Sequence, residues 1–360
     1  MTELLVGTRK GLFALNGEPG SPFEVTARAF GGDPVEYAVR DQRSGRVFAS
    51  VTSPFYGPKI FYADDPAGEW EQAEGVELPE GGEAVLERVW VIAPGEAPGT
   101  IYAGGDPGVL FVSRDGGATF EINRGLLEHP TRPKWEPGAG GMCLHSIVPW
   151  PGEPERLAVA ISAAGVWLTD DAGATWRRGN QGLVARYVPE DVPADEIALC
   201  VHRVHRAATR PERMFLQFHG GVYRSDDAGQ SWTDIGKGLP SDFGFALALD
   251  PADPDSAYII PLVADVDRVT PEGRVRVYET RDAGQSWSAR SHGLPGRDAY
   301  LTILREAFDW TGRGAELELY FGATSGTLFG SGDAGATWFE VATHLPPILS
   351  VSAGGTSGED

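Results

Sequence analysis

Cysteine is nearly absent from the chain: Cys143 and Cys200 are the only two among 360 residues, and they form no Cys-x-x-Cys pair. A disulfide framework is therefore excluded, and the usage fits a reducing compartment. Long apolar runs are missing too. No stretch approaches the ~18 apolar residues a transmembrane helix needs. The opening MTELLVGTRKGLFAL has no basic segment followed by an apolar one, so no secretory signal is expected and a cytoplasmic location is anticipated. Positive charge is in short supply, with 30 basic against 51 acidic residues and a formal charge of -21. That field repels nucleic-acid backbones and anionic membrane surfaces, so neither is an expected partner.

What the chain has in abundance is glycine (48) and proline (27), together with 41% hydrophobic residues. The apolar share is enough for a real core and argues against disorder. Glycine and proline at this level, without collagen-like periodicity, imply many turns between short strands.

The turns follow a repeat. Five segments share the pattern Ser/Thr-x-Asp-x-Gly-x-Thr/Ser-Trp/Phe: Ser113 to Phe120, Thr169 to Trp176, Ser225 to Trp232, Thr280 to Trp287 and Ser331 to Trp338. Tyr62 to Trp70 carries the pattern with one extra residue, and Asn16 to Phe23 is a worn copy with Glu18 in the Asp slot. The copies recur at roughly 55 residues, a length that suits a four-stranded propeller blade. The chain length then gives close to seven units. Within each unit the Asp accepts hydrogen bonds from turn amides, the Gly supplies a positive φ, and the aromatic residue packs between sheets.

A glycine-turn hairpin precedes each copy, as in LLVGTRKGLFAL and MFLQFHGGVYRS, and reads as the second and third strands of a blade. Apolar segments upstream read as innermost strands: Val35 to Val39, Leu86 to Pro94, Cys143 to Pro151, Cys200 to Val204, Phe243 to Pro251 and Tyr300 to Leu304. Six such strands serve seven hairpins. Pro346 to Ala353 supplies the seventh, joining the blade begun at the N-terminus and removing a free edge. The expectation is an all-β, seven-bladed β-propeller over residues 1–353, followed by a disordered tail at 354–360.

The repeat resembles the Asp-box, or BNR, repeat of sialidase-type propellers, and the chain is similar to bacterial single-propeller, glycosyl-hydrolase-like members of that group. The resemblance covers nearly the whole chain. It implies that the Asp turns lie on the face opposite the ligand pocket and carry no catalysis. Sialidases use an arginine cluster, a Tyr–Glu pair and an acidic residue, which draws attention to Glu36, Tyr37 and Arg88. The Arg-Ile-Pro signature of sialidases is missing, however, and those enzymes have six blades. A glycosidase also needs two carboxylates flanking the bond, and Glu36 has no evident partner by spacing.

The starts of the innermost strands and the hairpin turns should ring the channel mouth. Aligning Pro94, Pro151 and Pro251 puts Arg88, His145 and Phe245 in one slot, and the pattern extends it to Tyr37, His202, Thr302 and Ser350. The turns add Arg9, Lys10, Lys59, Asp106, His219 and Arg268, and a long inter-blade segment adds Trp135. Glu36, His145 and His202 are the candidate catalytic groups. Lys10, Tyr37, Lys59, Arg88, Trp135 and His219 are the candidate ligand contacts. In Cys143-Leu-His145 and Cys200-Val-His202 each Cys shares a strand face with its His. A pair of histidines with thiols nearby suits a soft divalent ion, so His145 and His202 are also candidate zinc ligands. Such a histidine pair would titrate between about pH 5 and 8. Three functions stay open: binding of a small polar or carbohydrate-like ligand or a protein partner, glycoside hydrolysis, and metal-assisted hydrolysis or lysis.

Overall fold

The computed structural model describes residues 1–81, 84–138, 140–186, 199–264 and 266–355. They form seven four-stranded antiparallel sheets, each a blade of a β-propeller. The innermost strands are Val35–Arg40, Arg88–Pro94, Leu144–Trp150, Val201–Arg206, Gly244–Asp250, Phe308–Thr311 and Ile348–Gly355. The last of these pairs with the N-terminal strand Thr2–Thr8, so the two ends of the chain share one blade. The closing strand runs to Gly355, two residues past its expected end, while 356–360 lie outside the described residues. Core packing falls mainly between blades, where inward residues of one sheet meet the next. One cluster alone unites Leu4, Phe245, Tyr258, Phe308 and Phe321.

The repeated Asp turn accounts for the outer hairpin of five blades, at Asp115, Asp171, Asp227, Asp282 and Asp333. Asp227 Oδ1 accepts from the Ser225 hydroxyl at 2.8 Å and the Ser231 amide at 2.8 Å, while Oδ2 accepts from the Ser231 hydroxyl at 2.6 Å. Asp171 repeats the arrangement with Thr169 and Thr175. Hydrogen bonds from Thr175 and Thr169 hold the Asp171 carboxyl down at about 2. Two successive residues take positive φ, Ala228 at 65° and Gly229 at 87°. The Trp of the turn then reaches back one blade: Trp176 Nε1 donates to Asn123 Oδ1, Trp232 Nε1 to Gly179 O, and Trp287 Nε1 to Ile235 O. The turn thus closes a hairpin and ties neighbouring sheets together.

The sheet register places the innermost strands on a common scale. The first residue of each Asp turn pairs with the second strand, as in Ser113↔Ile101, Thr169↔Leu157 and Ser331↔Leu319. That residue in turn faces Pro94, Pro149 or Trp310 on the innermost strand. Pro94 therefore corresponds to Pro149, not to Pro151. Four positions back from these points lie Trp90, His145 and Glu306, and the same count gives Glu36, His202, Phe245 and Ser350. The expected slot is corrected at three blades: Glu36 replaces Tyr37, Trp90 replaces Arg88 and Glu306 replaces Thr302. In the sixth case the cause is a misplaced strand. Tyr300 to Leu304 alternates like a strand but pairs with no sheet, and Phe308–Thr311 takes the inner position.

At five of these seven positions the innermost strand carries a β-bulge, with Glu36, Trp90, His145 or His202 as the extra residue and Phe245 in the wider one. A bulge leaves backbone groups out of the ladder, and buried groups need partners. The neighbouring blade provides them. Ser50 Oγ donates to Val89 O at 2.5 Å, His145 Nε2 bonds Val201 O at 2.9 Å, and His202 Nδ1 bonds Gly244 O at 2.6 Å. Where no side chain intervenes, glycine permits direct approach: a Cβ on Gly104 would sit 2.3 Å from Leu144 O.

Two outcomes follow for the fold. Removing residues 345–360 strips the partner of Thr2–Thr8 and exposes a sheet edge. The truncated protein should melt far lower or aggregate, and unchanged melting would contradict closure by this strand. Replacing Asp227 by Ala leaves turn donors unpaired at a cost of about 1–3 kcal/mol. Denaturant unfolding should show this loss, with ligand affinity of the folded variant unchanged.

Candidate functional site

A cavity of about 570 Å³ opens at the channel mouth. It is lined by the starts of innermost strands (Arg88, Trp90, His202, Phe245), by hairpin turns (Asp106, His219, Arg268) and by the stretch before the last inner strand (Thr302, Leu304, Arg305). Gly138, Gly140 and Gly141 of the long inter-blade segment close one side.

The lining has a definite order. Arg88 lies over the Trp90 ring at 5.1 Å, Arg305 over Trp90 at 5.5 Å and over Phe245 at 5.2 Å, and Arg268 over Phe245 at 5.6 Å. Three guanidiniums thus alternate with two aromatic faces. Such contacts hold cations at about 0.5–2 kcal/mol each without neutralising them. The Nε atoms of Arg88 and Arg305 are buried with no hydrogen-bond partner among the described residues. Asp106 is a half-buried carboxylate of the cavity, and the exposed Glu87 lines the same wall. Desolvation raises the pKa of Asp106, against the Met142 amide and the Arg88 charge.

The structure brings Arg88, His202 and His219 of the candidate residues into this cavity, along with Asp106 and Arg268. Glu36 is half-buried. Burial raises its pKa, partly offset by the Arg88 charge. His145 lies in the core, with Nδ1 bonded to Ser146 Oγ at 3.0 Å and Nε2 to Val201 O. Both of its ring nitrogens are engaged, and it holds two blades together. Tyr37 is buried on the inner strand beside Ser352. Trp135 packs on Trp167 at 4.9 Å and bonds Thr131, away from the cavity. Lys10 is exposed at a tight turn, and Lys59 lies half-buried opposite Val51 on the next strand; neither lines the cavity. The expected titration between pH 5 and 8 does not belong to His145 or His202. Desolvation, reinforced by Arg305, holds both imidazoles well below their ordinary range, so they are neutral there.

Behind the cavity the channel carries a second polar group that sequence reasoning missed. Arg203 Nη1 lies 3.4 Å from Glu306 and its Nε bonds His205 Nε2 at 3.0 Å. Asp309 accepts from the Ala353 amide at 2.9 Å, pinning the closing strand to the inner strand Phe308–Thr311. Burial pushes the Glu306 carboxyl up to about 7, despite Arg203 and Arg305, and that of Asp309 up to about 6. The signal for Glu306 was present in the repeat spacing, but it was hidden once Tyr300 to Leu304 took the strand's place.

No protein-family profile matches the chain, and no curated protein does. Solved structures do share its fold. An ancestral GH74 enzyme aligns at 18% identity over 90% of this chain and 37% of its own, with a TM-score of 0.55. A structure of YCF48 bound to D1 peptide aligns at 13% identity over 81% of this chain and 78% of its own, with a TM-score of 0.50. The chain thus spans well under half the length of that GH74 enzyme. These likenesses place the protein among seven-bladed β-propellers. Among the described residues, no helix is long and apolar enough to cross a membrane.

The channel carboxyls set a pH signature. Both are raised above their unfolded values of ~4, so the folded state holds protons that the unfolded state has released. Their contribution to stability is greatest below about pH 4 and falls as pH rises towards 7. Melting temperatures of Glu306→Gln relative to the parent should therefore improve between pH 4.5 and 8. A difference that stays constant with pH would contradict the raised carboxyl.

Proposed function

We propose that this propeller works as one domain over residues 1–353 and binds a small organic anion, a carboxylate-bearing sugar or similar polar acid, in the channel-mouth cavity. The observation that carries the reading is the Arg88–Trp90–Arg305–Phe245–Arg268 ladder. A chain of formal charge -21 concentrates three cations in one pocket, and buried guanidinium nitrogens without partners are costly unless a ligand meets them. Guanidinium forks match carboxylate geometry. The cavity, at about 570 Å³, is of ligand size. The Asp-box resemblance supports the same class, since sialidases employ an arginine cluster. Cytoplasmic residence, in keeping with two free cysteines, belongs to this reading.

A second reading, hydrolysis of the bound ligand, is favoured by Asp106, whose raised carboxyl could hold a proton beside it. Glycoside hydrolysis of the common kind needs a second carboxylate across the bond; Glu87 lines the same cavity, whereas Glu36 and Glu306 do not. The YCF48 structure with its bound peptide suggests a third source of the same chemistry, a peptide carboxylate.

Titration with sugar acids, their neutral counterparts and free-acid or amidated peptides distinguishes these sources. Sugar acids should bind and neutral sugars should not. Arg305→Ala should weaken binding roughly 30-fold or more, given the ~2–5 kcal/mol lost when one partner of a buried charge pair is removed. Equal binding of acid and neutral sugar would contradict the proposal, and preference for free-acid peptides would move it to a protein partner.

A further inference from the structure

We propose that Cys200, His202 and His219 bind one soft divalent metal ion, zinc in the first instance, on the wall of the channel-mouth cavity. One ligand atom from each residue lies within 4.8 Å of the other two, and all three residues line the cavity. The set differs from the pair anticipated from sequence. His145 has both nitrogens committed to the fold, and Cys143 is buried with its Sγ 3.3 Å from Ser162 Oγ.

The fold brings the three together by construction. Cys200 immediately precedes the inner strand Val201–Arg206, and His202 is its bulge residue. His219 sits in the hairpin turn after Met214–Phe218, and its amide donates to Cys200 O at 3.0 Å, fixing the two backbones side by side. The His202 and His219 rings lie 5.4 Å apart. His202 Nδ1 bonds the Gly244 carbonyl at 2.6 Å. A carbonyl partner makes Nδ1 the protonated nitrogen and leaves the Nε2 lone pair to the metal. Metal-ligating histidines are commonly oriented in this way.

Zinc bonds of ~2.0–2.3 Å in a tetrahedral site put ligand atoms about 3.3–3.8 Å apart. The present spacing therefore needs closure of about 1 Å, which rotation of the turn residue His219 can supply. Two nitrogens and a sulfur suit zinc, and three protein ligands leave a fourth position for water or an anion. Binding displaces the Cys200 thiol proton to solvent, while the Ala163 amide, which donates to the sulfur, favours the thiolate form. Arg268 and Arg305 line the same cavity and oppose a bare dication, but they favour the thiolate and any anion completing the site. The proposal stands apart from the anion reading, because it needs no organic ligand.

The test uses the full chain, freed of metal by chelator, and titrated with zinc against a chromophoric competitor without added carboxylates. One zinc per chain is expected. Cys200→Ser and His219→Asn should each weaken it by at least the ~10–100-fold that losing a mere outer partner costs. Cys143→Ala should retain the stoichiometry. Cobalt(II) should give a thiolate-to-metal absorption band that Cys200→Ser abolishes, and thermal melting confirms that each variant is folded. Zinc bound equally by the Cys200→Ser/His219→Asn double variant, or cobalt without a thiolate band, would overturn the site.

Discussion

The carbonyl freed at an inner-strand bulge, met at three of the five bulged strands by a side chain from the neighbouring blade, is the contact on which the channel mouth depends. A propeller needs its sheets to converge on an axis without leaving buried backbone groups unpaired. Here the bulge bends the start of the strand, and Ser50, His145 and His202 bond the exposed carbonyls of the following blade. At Gly104 the absence of a side chain lets the backbone approach Leu144 O closely. The geometry fixes where neighbouring inner strands stand, and so where Trp90, Phe245 and the three arginines meet.

Two polar zones result, with opposite chemistry. The outer cavity is cationic and holds aromatic faces between guanidiniums. The inner channel pairs Arg203 with Glu306 and fastens Asp309 to the closing strand. Their separation makes sense energetically. Asp106 and Glu87 offset part of the cavity's positive charge, whereas the carboxyls deeper in the channel, partly protonated through burial, leave the remaining cations available to a ligand.

Much of the architecture was legible in the sequence because the Asp turn is a local structure with fixed chemistry. Its Asp, Gly and aromatic positions can be read without knowing the fold, and their recurrence sets the blade count. The closing strand was legible because an unmatched hairpin needs a partner. The register of the inner strands was less so. Pro94 and Pro151 look equivalent in the sequence, but pairing equates Pro94 with Pro149, since the two strands differ in where their chains turn. Tyr300 to Leu304 imitates a strand because its alternation satisfies burial, yet its backbone bonds go to the long hairpin, including Thr270 N to Leu301 O. That displacement concealed Arg305 and Glu306. Burial was the other unreadable quantity: His145 and Trp135 have the chemistry of ligand contacts, and only packing shows that their polar atoms are already spent on the protein.

The claim that most of this rests on is that the channel-mouth cavity is an anion site built from Arg88, Arg268 and Arg305. Anomalous diffraction from crystals soaked in bromide tests it most directly, because bromide reports anion affinity without presupposing the natural ligand. The account predicts an ordered bromide within the cavity, in contact with the guanidiniums of Arg88 and Arg305 and lost in Arg305→Ala crystals. Bromide confined to the outer surface, with the cavity holding none, would contradict it.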